Sequence, residues 1–194
     1  MKKSDELQKR GCYVLLLFFL GFLIGVITTC IWQEKWLVEQ GFLNQEFIYQ
    51  IEHIDMDKRA LLFLCMGKRI RAFLLLWILS YSTVNLFSTS AFFVLNGIYV
   101  GGIMEALAIR YGWKGFLLYM GMILPHGILY SVGFSLLGVW CLRAREENIR
   151  LGRMGKLETS QKELLFFSLG MVIGGIFLES YINPEILFFV FDMI

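Results

Sequence analysis

The chain has 194 residues, of which 57% are hydrophobic and 18% charged, with 18 Lys and Arg against 16 Asp and Glu and a net charge of +2. Soluble domains run nearer about 45–50% apolar and about 25% charged, and here the charges cluster in blocks between long apolar runs, which excludes an ordinary soluble enzyme and a disordered chain. A nucleic-acid binder is excluded too, because there is no dense basic stripe; what remains is an all-α, polytopic membrane bundle in one domain covering residues 1–194.

A basic start (Lys2, Lys3, Lys9, Arg10) precedes an uncharged run over 12–32. At 1.5 Å per residue this is about 31 Å, enough to cross the hydrocarbon layer. It exceeds the h-region of a signal peptide and no A-x-A-like site follows, so it reads as a retained first span.

Residues 33–71 form the longest polar segment, acidic at first (Glu34, Glu39, Glu46, Glu52, Asp55, Asp57) and basic at the end (Lys58, Arg59, Lys68, Arg69, Arg71). Phe47, Ile51, Ile54, Leu61, Leu62 and Cys65 fall at helical spacings, which predicts amphipathic helix at the outer membrane surface or packed on the other spans.

Between 72 and 109 the one charge is Glu105. A single helix of that length would be about 57 Å long, so the run holds two spans, over 72–87 and 90–109, with the Ser/Thr/Asn cluster of 82–90 supplying the reversal. Residues 110–114, with Tyr111 and Trp113, read as an interfacial loop. The fourth span covers 115–142. It is interrupted by Leu124-Pro125-His126-Gly127, where a kink or local unwinding is expected. A basic inner loop over 143–163 follows, then a fifth span over 164–182 closed by Asn183-Pro184. With five spans the N-terminus lies in the cytoplasm and the C-terminus outside, and the inner segments hold ten Lys/Arg against eight in the outer ones.

Three GxxxG pairs occur, at Gly21/Gly25, Gly97/Gly101 and Gly170/Gly174. Each opens a groove for a second helix, within the chain or in a second copy as a homo-oligomer. Ionisable groups at membrane depth are few. Glu105, His126 and Glu179 either tie helices together or form an ion or proton relay.

Catalytic motifs are lacking: no GxSxG, HExxH, CxxC or phosphate loop is found, and two histidines, His53 and His126, do not supply a metalloprotease site. Gly133-Phe134-Ser135 shares its span with His126, which does not suit an intramembrane serine protease. The four cysteines show no metal or disulfide spacing, with a Cys30–Cys65 bridge left open. No enzyme, cofactor or metal is expected.

The stretch Arg110-Tyr111-Gly112-Trp113-Lys114-Gly115-Phe116-Leu117-Leu118, then Leu124-Pro125-His126-Gly127, then Leu178-Glu179-Ser180-Tyr181-Ile182-Asn183-Pro184, resembles the signature of the stage II sporulation protein M family. Asn96, Gly97 and Gly101 match its third-span pattern, and the resemblance covers nearly the whole chain. One departure is Tyr130, where many relatives have a Glu three residues after the glycine of the histidine motif. The resemblance implies a multi-pass protein of the cell membrane of endospore-forming bacteria. It implies a scaffold acting at the sporulation septum during engulfment, anchoring two peptidoglycan-degrading partners, an amidase/endopeptidase and a lytic transglycosylase. Structural or interaction residues are then Asn96, Gly97, Gly101, Glu105, Trp113, Pro125, His126, Gly127, Glu179 and Pro184. The alternative is a small transporter or channel component, suggested by the interrupted fourth span and the acids Glu105 and Glu179.

Overall fold

A computed structural model describes residues 2–32, 57–151 and 159–186. Among these residues the chain is helical, with no strand. Helix α1 spans Lys2–Ile31, α2 Lys58–Leu79, α3 Asn85–Tyr111, α4 Trp113–Leu151 and α5 Thr159–Phe177, the last passing into a π-helical segment, Leu178–Ile182. Four stretches among the described residues are long and apolar enough to cross a membrane: Gln8–Ile31, Asn85–Tyr111, Pro125–Ala144 and Lys162–Ile186. Helix α2 is not among them, because Lys58, Arg59, Lys68, Arg69 and Arg71 fall along it.

Helices α1 and α3 run parallel, joined at the two GxxxG pairs predicted for them. A Cβ on Gly21 would strike the Val94 backbone and one on Gly25 the Ile98 backbone. In return, one on Gly97 would strike Phe18 and Phe22, and one on Gly101 Phe22. Glycine thus lets each backbone lie in the groove of the other, gaining dispersion contacts that larger side chains would prevent. The Tyr13 and Ser90 hydroxyls hydrogen-bond across the pair at 3.2 Å.

Helix α4 returns antiparallel to α3 after a single turn residue. Gly112 has φ 58°, the left-handed region that glycine enters without a Cβ clash. Three residues on, a Cβ at Gly115 would meet the Leu107 carbonyl. The predicted loop over 110–114 therefore shrinks to one residue. Helix α5 lies antiparallel along α4, where the Ser168 hydroxyl donates to the Gly133 carbonyl at 2.7 Å. Val14, Phe93, Leu137, Trp140, Val172 and Ile176 are buried in the core cluster with Phe73 and Leu76 of α2, where all five helices meet.

Three boundaries differ from expectation. The helix predicted over 72–87 ends at Leu79 and begins at Lys58, so part of the predicted outer segment and the predicted second span are one helix. Asp57 caps its start, accepting from the Arg59 N–H at 2.9 Å. The reversal falls at 80–84 instead of 82–90 because Asn85 holds it. Its amide nitrogen donates to the Ser80 carbonyl at 2.9 Å and to the Cys141 carbonyl at 2.7 Å, and its oxygen accepts from Thr89 at 3.0 Å. Lastly, α4 continues through 143–151, where a loop is predicted, since Arg, Ala, Glu and Leu are strong helix formers. The part of the predicted amphipathic segment over 33–56, residues 152–158 of the predicted inner loop and the tail from 187 lie outside the described residues.

Candidate functional site: an ionic cluster between three helices

Helix α2 runs antiparallel to α5. Lys58 donates to Glu185 at 2.7 Å near one end, and the Cys141 thiol of α4 reaches the Leu76 carbonyl at 3.7 Å near the other. Between these points Arg69 turns into the bundle. Its Nη2 donates to Glu179 Oε1 at 3.2 Å and its Nε to Oε2 at 3.4 Å, a fork-on-carboxylate arrangement. The Tyr130 hydroxyl of α4 donates to Glu179 Oε2 at 2.5 Å. The Arg69 guanidinium also lies over the Tyr130 ring, 4.5 Å from its centroid. One carboxylate thus ties together α2, α4 and the π-helical end of α5.

The local sequence explains why Glu179 sits where it does. Pro184 has no N–H to return to the Ser180 carbonyl, and its ring crowds that carbonyl in a regular helix. The backbone widens to the π form over Leu178–Ile182, with the Asn183 N–H bonded to the Leu178 carbonyl. Ser180, buried in this segment, donates instead to the Ile176 carbonyl at 2.8 Å.

His126 lies one helical turn before Tyr130, 93% buried, with the two rings edge to face at 5.6 Å. Its Nδ1 and the Asn183 Oδ1 are buried without a hydrogen bond. Glu179 and Arg69 are its charged neighbours. Among the described residues no group of three or more His, Cys, Asp or Glu could hold a metal ion.

Of the residues picked out from sequence, His126 and Glu179 come together here, while Glu105 has no bond to the cluster. Pro125 lies inside a continuous helix, so the predicted unwinding does not occur. A Cβ on Gly127 would press on Ile123. Asn96 bonds its own helix, at the Phe92 carbonyl, 2.8 Å away. Trp113 is exposed and stacks on Phe116. Pro184 is buried. Cys30 and Cys65 are free thiols, the first exposed and the second buried. Arg69 and Asn85 are absent from the sequence-based set, and Tyr130 appears there only as a departure from a family pattern. A cation beside an apolar run is the one signal that marks Arg69.

Residues 14–184 match the family model described as Stage II sporulation protein M. No curated protein and no solved structure matches the chain.

Proposed function

Because the chain belongs to the stage II sporulation protein M family, a sporulation-related membrane family, we propose that it is a non-enzymatic membrane scaffold at the sporulation septum that recruits peptidoglycan-degrading enzymes during engulfment. The observation that carries this reading beyond the family is the cluster itself. Arg69, Glu179 and Tyr130 satisfy one another, so the charge at depth serves to clamp helices together instead of waiting for a transported ion. A rigid bundle with mutually neutralised interior charge suits a platform.

In this reading α2 is a fifth crossing. Helices α1 and α3 are parallel, so the intervening chain must return to the starting side, and α2 runs in that direction. The N-terminus is then cytoplasmic and the C-terminus extracytoplasmic. The acidic stretch of sequence over 33–56 connects the ends of α1 and α2 that this topology puts outside, where cell-wall enzymes work. Co-purification with an amidase/endopeptidase and a lytic transglycosylase from sporulating cells tests the scaffold. Deleting 45–56 is expected to release both enzymes while the bundle stays in the membrane, and retention of both would remove the recruiting role from that segment.

The alternative, a transporter or channel component, retains the buried His126 Nδ1 as support. It predicts ion flux in reconstituted vesicles that Glu179→Gln abolishes.

A further inference from the structure

Leu64, Lys68, Arg71, Leu75 and Ile78 follow one another on α2 at intervals of four, three, four and three residues, and therefore form one stripe. All five are exposed. Arg69 faces the other way, into the cluster with Glu179. The outward stripe is thus apolar except for two adjacent cations, and among the described residues neither Lys68 nor Arg71 has an ion-pair or hydrogen-bond partner.

Their depth follows from the contacts of α2. Lys58 pairs with Glu185, beside the end of the apolar stretch Lys162–Ile186. Leu76 meets Cys141, near the opposite end of the stretch Pro125–Ala144. Lys68 lies ten residues from Lys58, about 15 Å along the axis, and Arg71 about 20 Å. Both therefore stand between the two ends of the bundle. Snorkelling to the headgroups serves residues near helix ends, and cations at the middle of a membrane helix face a partner or water, not lipid tails.

We propose that this face of α2 is a docking surface for a partner's membrane helix that carries a carboxylate at the depth of Lys68 and Arg71. The charge sign selects the occupant. A second copy joined through α2 about a two-fold axis would set these cations against each other, and Glu179 is already committed to Arg69. Headgroup phosphates sit at the bilayer surfaces, away from the middle of the bundle. The inference rests on the reading of α2 as a fifth crossing and supplies the scaffold with an intramembrane contact. It fails independently of that role, because enzymes could be recruited through the outer segment alone.

The test uses the full chain with a fluorescent protein fused at its N-terminus, reconstituted in phosphatidylcholine vesicles above neutral pH. The probe is a synthetic leucine-rich transmembrane helix with one central Glu and an acceptor dye, compared with its Gln counterpart. Energy transfer is expected to show about ten-fold tighter association of the Glu helix, the scale of a polar contact between membrane helices. In Lys68→Leu/Arg71→Leu the two helices are expected to bind alike. The single variants Lys68→Gln and Arg71→Gln, each of which changes one position and keeps a polar side chain, are expected to lose part of the preference, and they decide the matter if the double variant does not fold. Equal binding of the Glu and Gln helices to the wild type overturns the proposal, as does an undiminished preference in the variants. It is overturned too if the preference disappears on adding phosphatidylglycerol, which assigns the face to anionic lipid. Transfer between two copies of the chain that depends on Lys68 and Arg71 assigns it to self-association and also overturns it.

Discussion

Tyr130 donates its phenol hydrogen to Glu179 across 49 residues of sequence, while its ring supports the guanidinium that grips the same carboxylate. The two contributions of this side chain are separable. Tyr130→Phe keeps the ring beneath Arg69 and removes one hydrogen bond to a charged group, a loss of about 1.5 kcal/mol. Tyr130→Leu removes the ring as well and is expected to cost about 1 kcal/mol more. Thermal unfolding of the purified protein in detergent measures both, and a Tyr130→Phe variant that melts with the wild type would show that the hydroxyl contributes nothing.

The Arg69–Glu179 pair is expected to be non-additive. The side chains are 37% and 19% exposed, so the charges are partly shielded from solvent without being sealed. Removing one partner strands the other, and Arg69→Met or Glu179→Met alone is expected to cost about 2–3 kcal/mol, below the figure for a fully buried pair. The double variant leaves no bare charge and is expected to be more stable than either single one. A double-mutant cycle on thermal unfolding checks this, and simple addition of the two losses would sink the clamp.

What could be read in one sequence follows from the range over which each feature acts. The first span is legible over 12–32 because an unbroken apolar run needs no knowledge of its neighbours, and α1 ends at Ile31. The α2–α3 turn is not legible from polarity alone, because short polar side chains serve the first turns of a helix as well as a reversal. Ser88 and Thr89 look like loop residues, yet they bond to Asn85 inside the first turns of α3, at its carbonyl and its side-chain oxygen. Arg143 and its charged neighbours likewise read as a loop although their residue types favour helix. The family motifs point to His126 and Glu179. Arg69 could not be matched with Glu179, 110 residues away, because no local pattern relates them.

The glycine pairs give opposite predictions from the same spacing. Gly97→Ala places a methyl group against the Phe18 and Phe22 backbone, which has no rotamer by which to give way. The expected loss is about 3 kcal/mol, with separation of α1 from α3. Gly170 begins the third pair, yet a Cβ there meets nothing within 4 Å, and the same holds at Gly67. Gly170→Ala and Gly67→Ala are expected to stabilise by about 0.5 kcal/mol through reduced backbone entropy of the unfolded chain. Thermal unfolding of the three variants decides it, and a matching loss at Gly170 would show that this pair packs as the other two do.

Asn85 offers a readout at a distance from its own position. It is fully buried, and its amide bridges the Ser80 and Cys141 carbonyls, holding the end of α2 to α4 at the reversal into α3. Asn85→Ala leaves the Thr89 hydroxyl and two carbonyls without this partner and opens a small void. A loss of about 2–3 kcal/mol is expected. Asn85→Asp is expected to be worse, because it replaces the donor with a carboxylate facing those carbonyls. The Cys141 thiol reports the local change, since it is buried and bonded to the Leu76 carbonyl in the intact turn. In detergent, maleimide is expected to label Cys141 slowly in the wild type and severalfold faster in Asn85→Ala. Exposed Cys30 serves as the internal standard, and mass spectrometry of peptides assigns the site. Faster labelling of Cys141 with Cys65 unchanged would place the opening at the α2–α3 turn, whereas parallel increases at both would mean that the whole bundle has loosened.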